Sequence, residues 1–197
     1  MGDYMKLLLG TKNIGKLREF KGIFENEFKD LEIITLNELF DVEEPVEDGL
    51  TFYDNAVIKA KYYYNIYKMP VICDDTGLVI EALDGRPGVF SARYSGDHDF
   101  EANIDKVLLE MKDIENRRAH FQTTMVYYDG NELIFADGYC HGEILNERVG
   151  NGGFGYDAIF YVPSLKKSFG QMTKEEKNSI SHRYNAIKNL LNKLKKA

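Results

Sequence analysis

The run Val71-Ile72-Cys73-Asp74-Asp75-Thr76-Gly77-Leu78 constrains this chain more than any other stretch. Apolar residues suited to a buried strand stop at two adjacent carboxylates, a hydroxyl and a glycine, then resume at Leu78-Val79-Ile80. Two acids at the mouth of a buried strand suffer desolvation and mutual repulsion unless a cation or hydrogen-bond donors share the charge. Two readings are open. In one, the pair belongs to a site for Mg²⁺, which takes carboxylate oxygens. In the other, Asp-Asp-Thr-Gly is a turn between two strands, since these are ordinary turn residues.

The surrounding pattern is that of an α/β fold with a mixed sheet. Met5 to Leu9 reads as a first strand ending at Gly10. Ile14, Leu17, Phe20, Phe24 and Phe28 then recur at helical spacing. Leu31 to Ile34 is a second strand, and the acidic stretch Asp41 to Asp48 a loop. Thr51 with Asp54 caps a helix that runs to about Tyr67. Strands around Val71 and Leu78 flank the acidic turn, a Gly/Pro loop covers Asp84 to Gly88, and a helix fits Phe100 to Met111. Alternating segments Ala119 to Tyr128 and Glu132 to Cys140 meet at Asp129-Gly130, a hairpin signal, with a third strand through Ile144. Ala158 to Val162 is a further strand. One last helix carries Ile180, Tyr184, Ile187, Leu191 and Leu194, and the Lys193 to Lys196 cluster reads as its solvated end.

Composition excludes some functions. With 197 residues, 44% hydrophobic and 29% charged, the chain has an ordinary globular profile, and no linker or repeat divides it. A net charge of -7 argues against a nucleic-acid partner, which needs a basic footprint. No apolar run has membrane-spanning length and no signal peptide is visible, so no membrane association and a cytoplasmic location are expected. Cys73 and Cys140 lack metal-site spacing and read as reduced core residues. His98, His120 and His141 show no ligand spacing and read as isolated structural or surface residues.

Four further segments are candidates for chemistry. At Gly10-Thr11-Lys12-Asn13-Ile14-Gly15-Lys16, backbone N–H groups at a helix start join Thr11, Asn13 and Lys16 as a possible anion cradle. The alternative is a capped helix with a surface lysine. Glu47, just before the Thr51 helix, is a second metal-ligand candidate beside Asp75 or merely an acid suited to the helix dipole. Lys59 and Asn55 share one helix face. In Gly152-Gly153-Phe154-Gly155-Tyr156-Asp157, glycines let backbone approach a flat ligand, Phe154 offers a stacking face and Asp157 an acceptor; otherwise Phe154 is core. Lys177 and Ser181-His182-Arg183, at the start of the last helix, supply donors suited to a carbonyl oxygen or to solvent. Arg93, within Gly85 to Tyr94, could pair with Asp74, Asp75 or a partner chain.

In this order the segments resemble the inosine triphosphate pyrophosphatase family, which hydrolyses non-standard purine nucleoside triphosphates. The resemblance runs through Thr11-x-Asn13-x-x-Lys16, Glu47-x-Gly49-x-Thr51-Phe52-x-x-Asn55-Ala56 and Asp74-Asp75-Thr76-Gly77-Leu78. It continues through Pro87-Gly88-x-x-Ser91-Ala92-Arg93, Gly152 to Asp157, and Ser181-His182-Arg183. Thr76 stands where serine is commoner and Ala158 where proline is commoner; neither removes a functional group.

The resemblance implies an elongated, two-lobed α/β fold around a long mixed sheet with flanking helices, as a single domain over residues 1–197, with nucleotide in a cleft between the lobes. It implies Mg²⁺, a homodimer and a purine nucleoside triphosphate as small-molecule partner. It also implies roles. Thr11, Asn13, Lys16 and Lys59 would hold the triphosphate, Glu47 and Asp75 the metal, and Asp75 would activate water with Lys59 beside it. Thr76 would touch substrate. Phe154, Gly155, Tyr156 and Asp157 would surround base and sugar, with Lys177, His182 and Arg183 at the purine edge. A Maf-type nucleotide pyrophosphatase is disfavoured by Thr11-Lys12-Asn13 and Ser181-His182-Arg183. A catalytically silent nucleotide sensor is disfavoured by the presence of Lys16, Glu47 and Asp75.

Overall fold

Strand alternation organises the chain around its acidic pair. The structure, a computed structural model, describes residues 5–27, 31–96 and 99–195. Seven strands form one sheet: β1 (Met5–Leu9), β2 (Leu31–Thr35), β3 (Val71–Ile80), β4 (Arg118–Tyr128), β5 (Leu133–Ile144), β6 (Phe160–Val162) and β7 (Lys167–Ser168), in the order β2-β1-β3-β4-β5-β6-β7. β1 pairs in parallel with β2 and β3, while β6 is antiparallel to β5 and to β7, so the sheet is mixed as expected. Helices α1 (Ile14–Glu27), α2 (Phe52–Tyr67), α3 (Phe100–Glu110), α4 (Lys174–Ile180) and α5 (His182–Leu194) complete the α/β fold. None of the described helices is long and apolar enough to cross a membrane.

The chain divides into two compact units. The first comprises residues 1–75, 123–138 and 183–197, the second 76–122 and 139–182. In the first, alternate strand residues serve two cores. Leu7 and Leu9, Ile72, Met125 and Tyr127 pack with Phe20, Ile23 and Phe24 of α1 and Ala186, Ile187 and Leu190 of α5. Their neighbours Leu8, Val71, Cys73 and Val126 pack instead with Ala56, Ala60 and Tyr63 of α2. This is the two-residue period of a strand with both faces covered. In the second unit Leu78 and Ile80 join Ile104, Val107 and Met111 of α3 with Phe121, Ile144, Phe160 and Phe169 in one core.

Several expectations are corrected. Asp74-Asp75-Thr76-Gly77 is not a turn: β3 runs unbroken from Val71 to Ile80 through both acids. A single β5 replaces the two segments read as a strand to Cys140 and a third through Ile144. Gly142 looks like a break but marks a close approach, since a Cβ there would lie 2.4 Å from the Tyr161 carbonyl oxygen of β6. β6 begins at Phe160, not Ala158, because Gly155–Ile159 forms a 3-10 turn. The final helix is two helices broken at Ser181, whose extended ψ of 155° ends α4, so Ile180 does not share a face with Tyr184. His120 and His141 are not isolated; their rings lie 5.4 Å apart, and burial together with His141 lowers the His120 pKa. Lys193 is exposed in the last turn of α5, as expected of a solvated helix end, and its ammonium also donates to the Phe135 carbonyl (2.8 Å) and lies over that ring. Cys73 and Cys140 are free, buried thiols, and burial pushes the latter up to about 11. Phe28, His98 and Lys196 lie outside the described residues.

Candidate active site

Because β3 is continuous, Asp74 and Asp75 project to opposite faces of the sheet and meet different helices. β1 ends one register step earlier, with Leu9 opposite Ile72 and the Gly10 N–H donating to the Ile72 carbonyl at 2.8 Å. The chain must pass close to β3 there: a Cβ on Gly10 would come within 2.3 Å of Cys73 Sγ. The loop leaving Gly10 therefore opens beside the acids. Asn13 caps α1 through its side-chain oxygen, which accepts from Lys16 N–H at 3.0 Å, and Thr11 Oγ1 accepts from Asn13 N–H at 3.2 Å. One turn into α1, Lys16 Nζ reaches Asp74 Oδ2 at 2.8 Å.

Asp74 is 1% exposed and faces the α1/α5 side. Burial alone would raise its pKa. The cations Lys16, Arg183 and Lys59 outweigh that cost and hold the carboxyl well below its usual range. Arg183, 1% exposed at the start of α5, donates to Glu19 of α1 and lies over the Phe20 ring.

A native pKa depressed below the unfolded value adds stability above the unfolded pKa, and that stability is lost as pH falls through the native one. Asp74→Asn, nearly isosteric, is expected to destabilise by about 3 kcal/mol at pH 7, because it leaves Lys16 without its buried partner. That corresponds to about 6–12 °C in Tm for a chain of this size. The gap should begin to narrow as pH drops below about 4, the unfolded carboxylate value, and go on narrowing toward the lower native pKa. Paired melts of wild type and variant from pH 3 to 8 check this, and a gap independent of pH would contradict the assignment.

Asp75 faces the α2 side, where the capping box of Thr51 and Asp54 starts a helix that presents Asn55 and Lys59 to it. Asn55 Nδ2 donates to Asp75 Oδ2 at 3.0 Å. Lys59 Nζ sits 3.8 Å from Asp75 Oδ1 and donates to Glu47 Oε2 at 2.8 Å. Burial raises the Asp75 pKa despite Lys59, Lys16 and Asn55. Lys59 is itself buried, yet Asp75, Glu47 and Asp74 more than offset the desolvation and keep it charged. Glu47 arrives on the acidic loop, which Lys12 holds through Asp41 (2.7 Å) and the Val42 carbonyl (2.5 Å). Tyr62 donates to the Glu43 carbonyl and Tyr67 to that of Phe40, pinning the loop further.

Two carboxylates thus converge on one ammonium, the donor chemistry Mg²⁺ uses when one or two carboxylates join water and phosphate oxygens. Glu47 and Asp75 fit such an ion, although no group of three acidic, His or Cys ligands occurs among the described residues. Asp74, on the other face, does not join them.

In the second unit the predicted aromatic segment also assembles. Gly153 (φ 76°) and Gly155 (φ 58°) adopt left-handed backbone around Phe154, and a Cβ on Gly153 would fall 1.9 Å from Asp157 Oδ2. That oxygen accepts from the Phe154 N–H (2.8 Å) and from Lys177 Nζ (2.6 Å), both Asp157 and Lys177 being buried. The Lys177 ammonium lies over the rings of Phe154 (5.1 Å) and Phe169 (5.2 Å). His182 stacks on Phe121 at 4.7 Å. Tyr156 is buried and donates its hydroxyl to the Ser91 carbonyl at 2.8 Å, which ties down the 3-10 turn Gly88–Arg93. Within that turn Arg93 lies over the Phe90 ring. Thr76 follows Asp75 on β3, half-buried.

Lys59, Glu47 and Asp75 are brought together in the first unit, Lys16 is in the same unit but pairs with Asp74 on the other sheet face, and Phe154, Gly155, Tyr156, Asp157, Lys177 and His182 lie in the second unit. Sequence reasoning gave no role to Asn55 or Lys12, and it read Asp74 as one of a Mg²⁺-binding pair or a partner for Arg93 rather than as the buried partner of Lys16. It also overlooked α4, although Thr173-x-x-Glu176 is a capping box visible in the sequence.

Comparison with known proteins bears on the family and the fold. The chain is 44% identical to the dITP/XTP pyrophosphatase of Leuconostoc mesenteroides over 198 residues, covering 96% of each. Among solved structures, the Staphylococcus aureus Ham1 protein matches with a TM-score of 0.81 at 41% identity, over 93% of this chain and 94% of that one. A HAM1 protein from Coxiella burnetii matches with a TM-score of 0.85 at 35% identity, over 98% and 100%. The profile described as the Ham1 family covers residues 7–193. Six ordered motifs, a mixed seven-stranded sheet and near full-length likeness meet in one conclusion: the chain belongs to the Ham1 family.

Proposed function

We propose that this protein is a Mg²⁺-dependent hydrolase that converts non-standard purine nucleoside triphosphates (ITP, dITP and XTP) to the monophosphate and pyrophosphate. The observation that carries the reading is the convergence of Glu47 and Asp75 on the Lys59 ammonium. The name dITP/XTP pyrophosphatase carried by full-length relatives supports the substrate class.

Lys16 and Lys59 exchange their carboxylate partners for phosphate oxygens when substrate enters, and Thr11 and Asn13 line the same loop. Glu47 and Asp75 hold Mg²⁺, which when bound neutralises phosphate charge. Asp75, made more basic by burial, takes a proton from the attacking water. The water oxygen bonds to the α-phosphorus, the bond to the bridging α–β oxygen breaks, and pyrophosphate leaves with that electron pair. Thr76 contacts substrate. Phe154 and Gly155 lie against base and sugar, Asp157 accepts from the base, and Lys177, His182 and Arg183 offer donors to the purine edge. Tyr156 contributes by holding the 88–93 turn. The family resemblance supports a homodimer and a cytoplasmic enzyme.

The test is a pyrophosphate-release screen with Mg²⁺ across the common and deaminated nucleoside triphosphates. Turnover confined to deaminated purines is expected. Binding without turnover would instead mark a nucleotide sensor.

A further inference from the structure

Asn55 is an uneconomical residue for its place. It is 1% exposed, in the interior of α2, one position from the core residue Ala56. Alanine would make the better helix, and a buried amide is tolerated only when its hydrogen bonds are made. Both ends of this amide are used. Nδ2 donates to Asp75 Oδ2 (3.0 Å), and Oδ1 accepts from the Gly49 N–H (2.8 Å), two residues beyond Glu47. Space around the second bond is tight: a Cβ on Gly49 would meet Asn55 Oδ1 at 2.6 Å.

We propose that Asn55 is a positioning residue that fixes the two metal-holding carboxylates relative to each other. By occupying Oδ2 of Asp75, it leaves Oδ1 as the oxygen turned toward Lys59 and Glu47. By accepting from Gly49, it anchors the end of the loop that delivers Glu47. Capping cannot explain this, because the N-terminus of α2 is already served by Thr51 and Asp54. The inference rests on the reading of Asp75 and Glu47 as metal ligands.

The test compares Asn55→Leu, which loses both bonds, Asn55→Asp, which keeps the acceptor for Gly49 but loses the donor, and Gly49→Ala. Mn²⁺ binding to the full chain without nucleotide, followed by electron paramagnetic resonance, gives affinity and number of sites separately. Steady-state dITP hydrolysis separates kcat from KM. For Asn55→Leu, Mn²⁺ affinity and kcat should each fall about 10- to 100-fold, as for loss of a hydrogen bond to a charged group. The number of sites should hold, and KM should move less than about threefold, since phosphate and base contacts are untouched. Asn55→Asp should lower kcat about 100-fold, because an anion then faces Asp75. Gly49→Ala should lower kcat in the same direction without altering either side chain.

If Asn55→Leu fails to fold, Asn55→Asp and Gly49→Ala carry the test. Fewer sites at unchanged Mn²⁺ affinity, or wild-type kcat in Asn55→Asp, would make Asn55 a packing residue and overturn the proposal. If those variants behave as wild type while Asp75→Asn is inactive, only this inference fails. An active Asp75→Asn removes the underlying reading, and the inference with it.

Discussion

Asp75→Asn is expected to lower kcat by about 10³-fold or more while the fold survives, the range of a lost general base. The change is almost isosteric, so β3 and the α2 core should be undisturbed. If the new side chain turns its oxygen toward Asn55 Nδ2, its amide nitrogen faces Lys59 Nζ, donor against donor. The site then loses a metal ligand and an acceptor for the water proton together. Far-ultraviolet circular dichroism should match wild type. A variant with more than about a tenth of wild-type turnover would remove Asp75 from the catalytic role.

The second large effect is base choice. Inosine and xanthine carry a carbonyl acceptor at position 6, whereas adenine carries an amino donor. On the proposed reading Lys177, His182 and Arg183, each a buried side chain, offer N–H donors to the purine edge, so adenine would face them donor to donor. Each buried group left unpaired costs about 1–3 kcal/mol, so two or three mismatches reject ATP by roughly 10³-fold. Guanine shares the carbonyl and must be refused at its 2-amino group. ITP and XTP should therefore be comparable, good substrates, GTP weak and ATP weakest. Arg183→Ala should raise KM for ITP and narrow its advantage over ATP. Equal kcat/KM for ATP and ITP, or a ratio untouched by Arg183→Ala, would contradict this account of recognition.

What the sequence disclosed and what it hid divide along a physical line. α1, α2, α3 and the Asp129-Gly130 hairpin were legible because periodicity, caps and turn residues are local signals. The continuity of β3 was not. Asp-Asp-Thr-Gly has the composition of a turn, and only partners distant in sequence make two buried acids tolerable in a strand. Those partners are Lys16 and Arg183 on one face and Asn55 and Lys59 on the other. A linear motif shows Asp74 and Asp75 side by side, while the pleat sends them to separate helices. The same blindness hid Asn55, an unremarkable helix residue until register places it against Asp75. The continuity of β5 past Cys140 and the break at Ser181 were missed because a close approach of backbone, or one extended residue between helices, leaves little compositional trace. The six motifs were readable as a family signature because their residue types recur in a fixed order, even where they do not reveal geometry.

The central claim is that water attacks the α-phosphorus with Asp75 as base. Hydrolysis of dITP in ¹⁸O-enriched water, with both products analysed by mass spectrometry, tests it most directly. The account predicts one ¹⁸O atom in the monophosphate, none in pyrophosphate, and no orthophosphate as primary product. Label in the pyrophosphate, or orthophosphate released first, would place the attack at another phosphorus and contradict it.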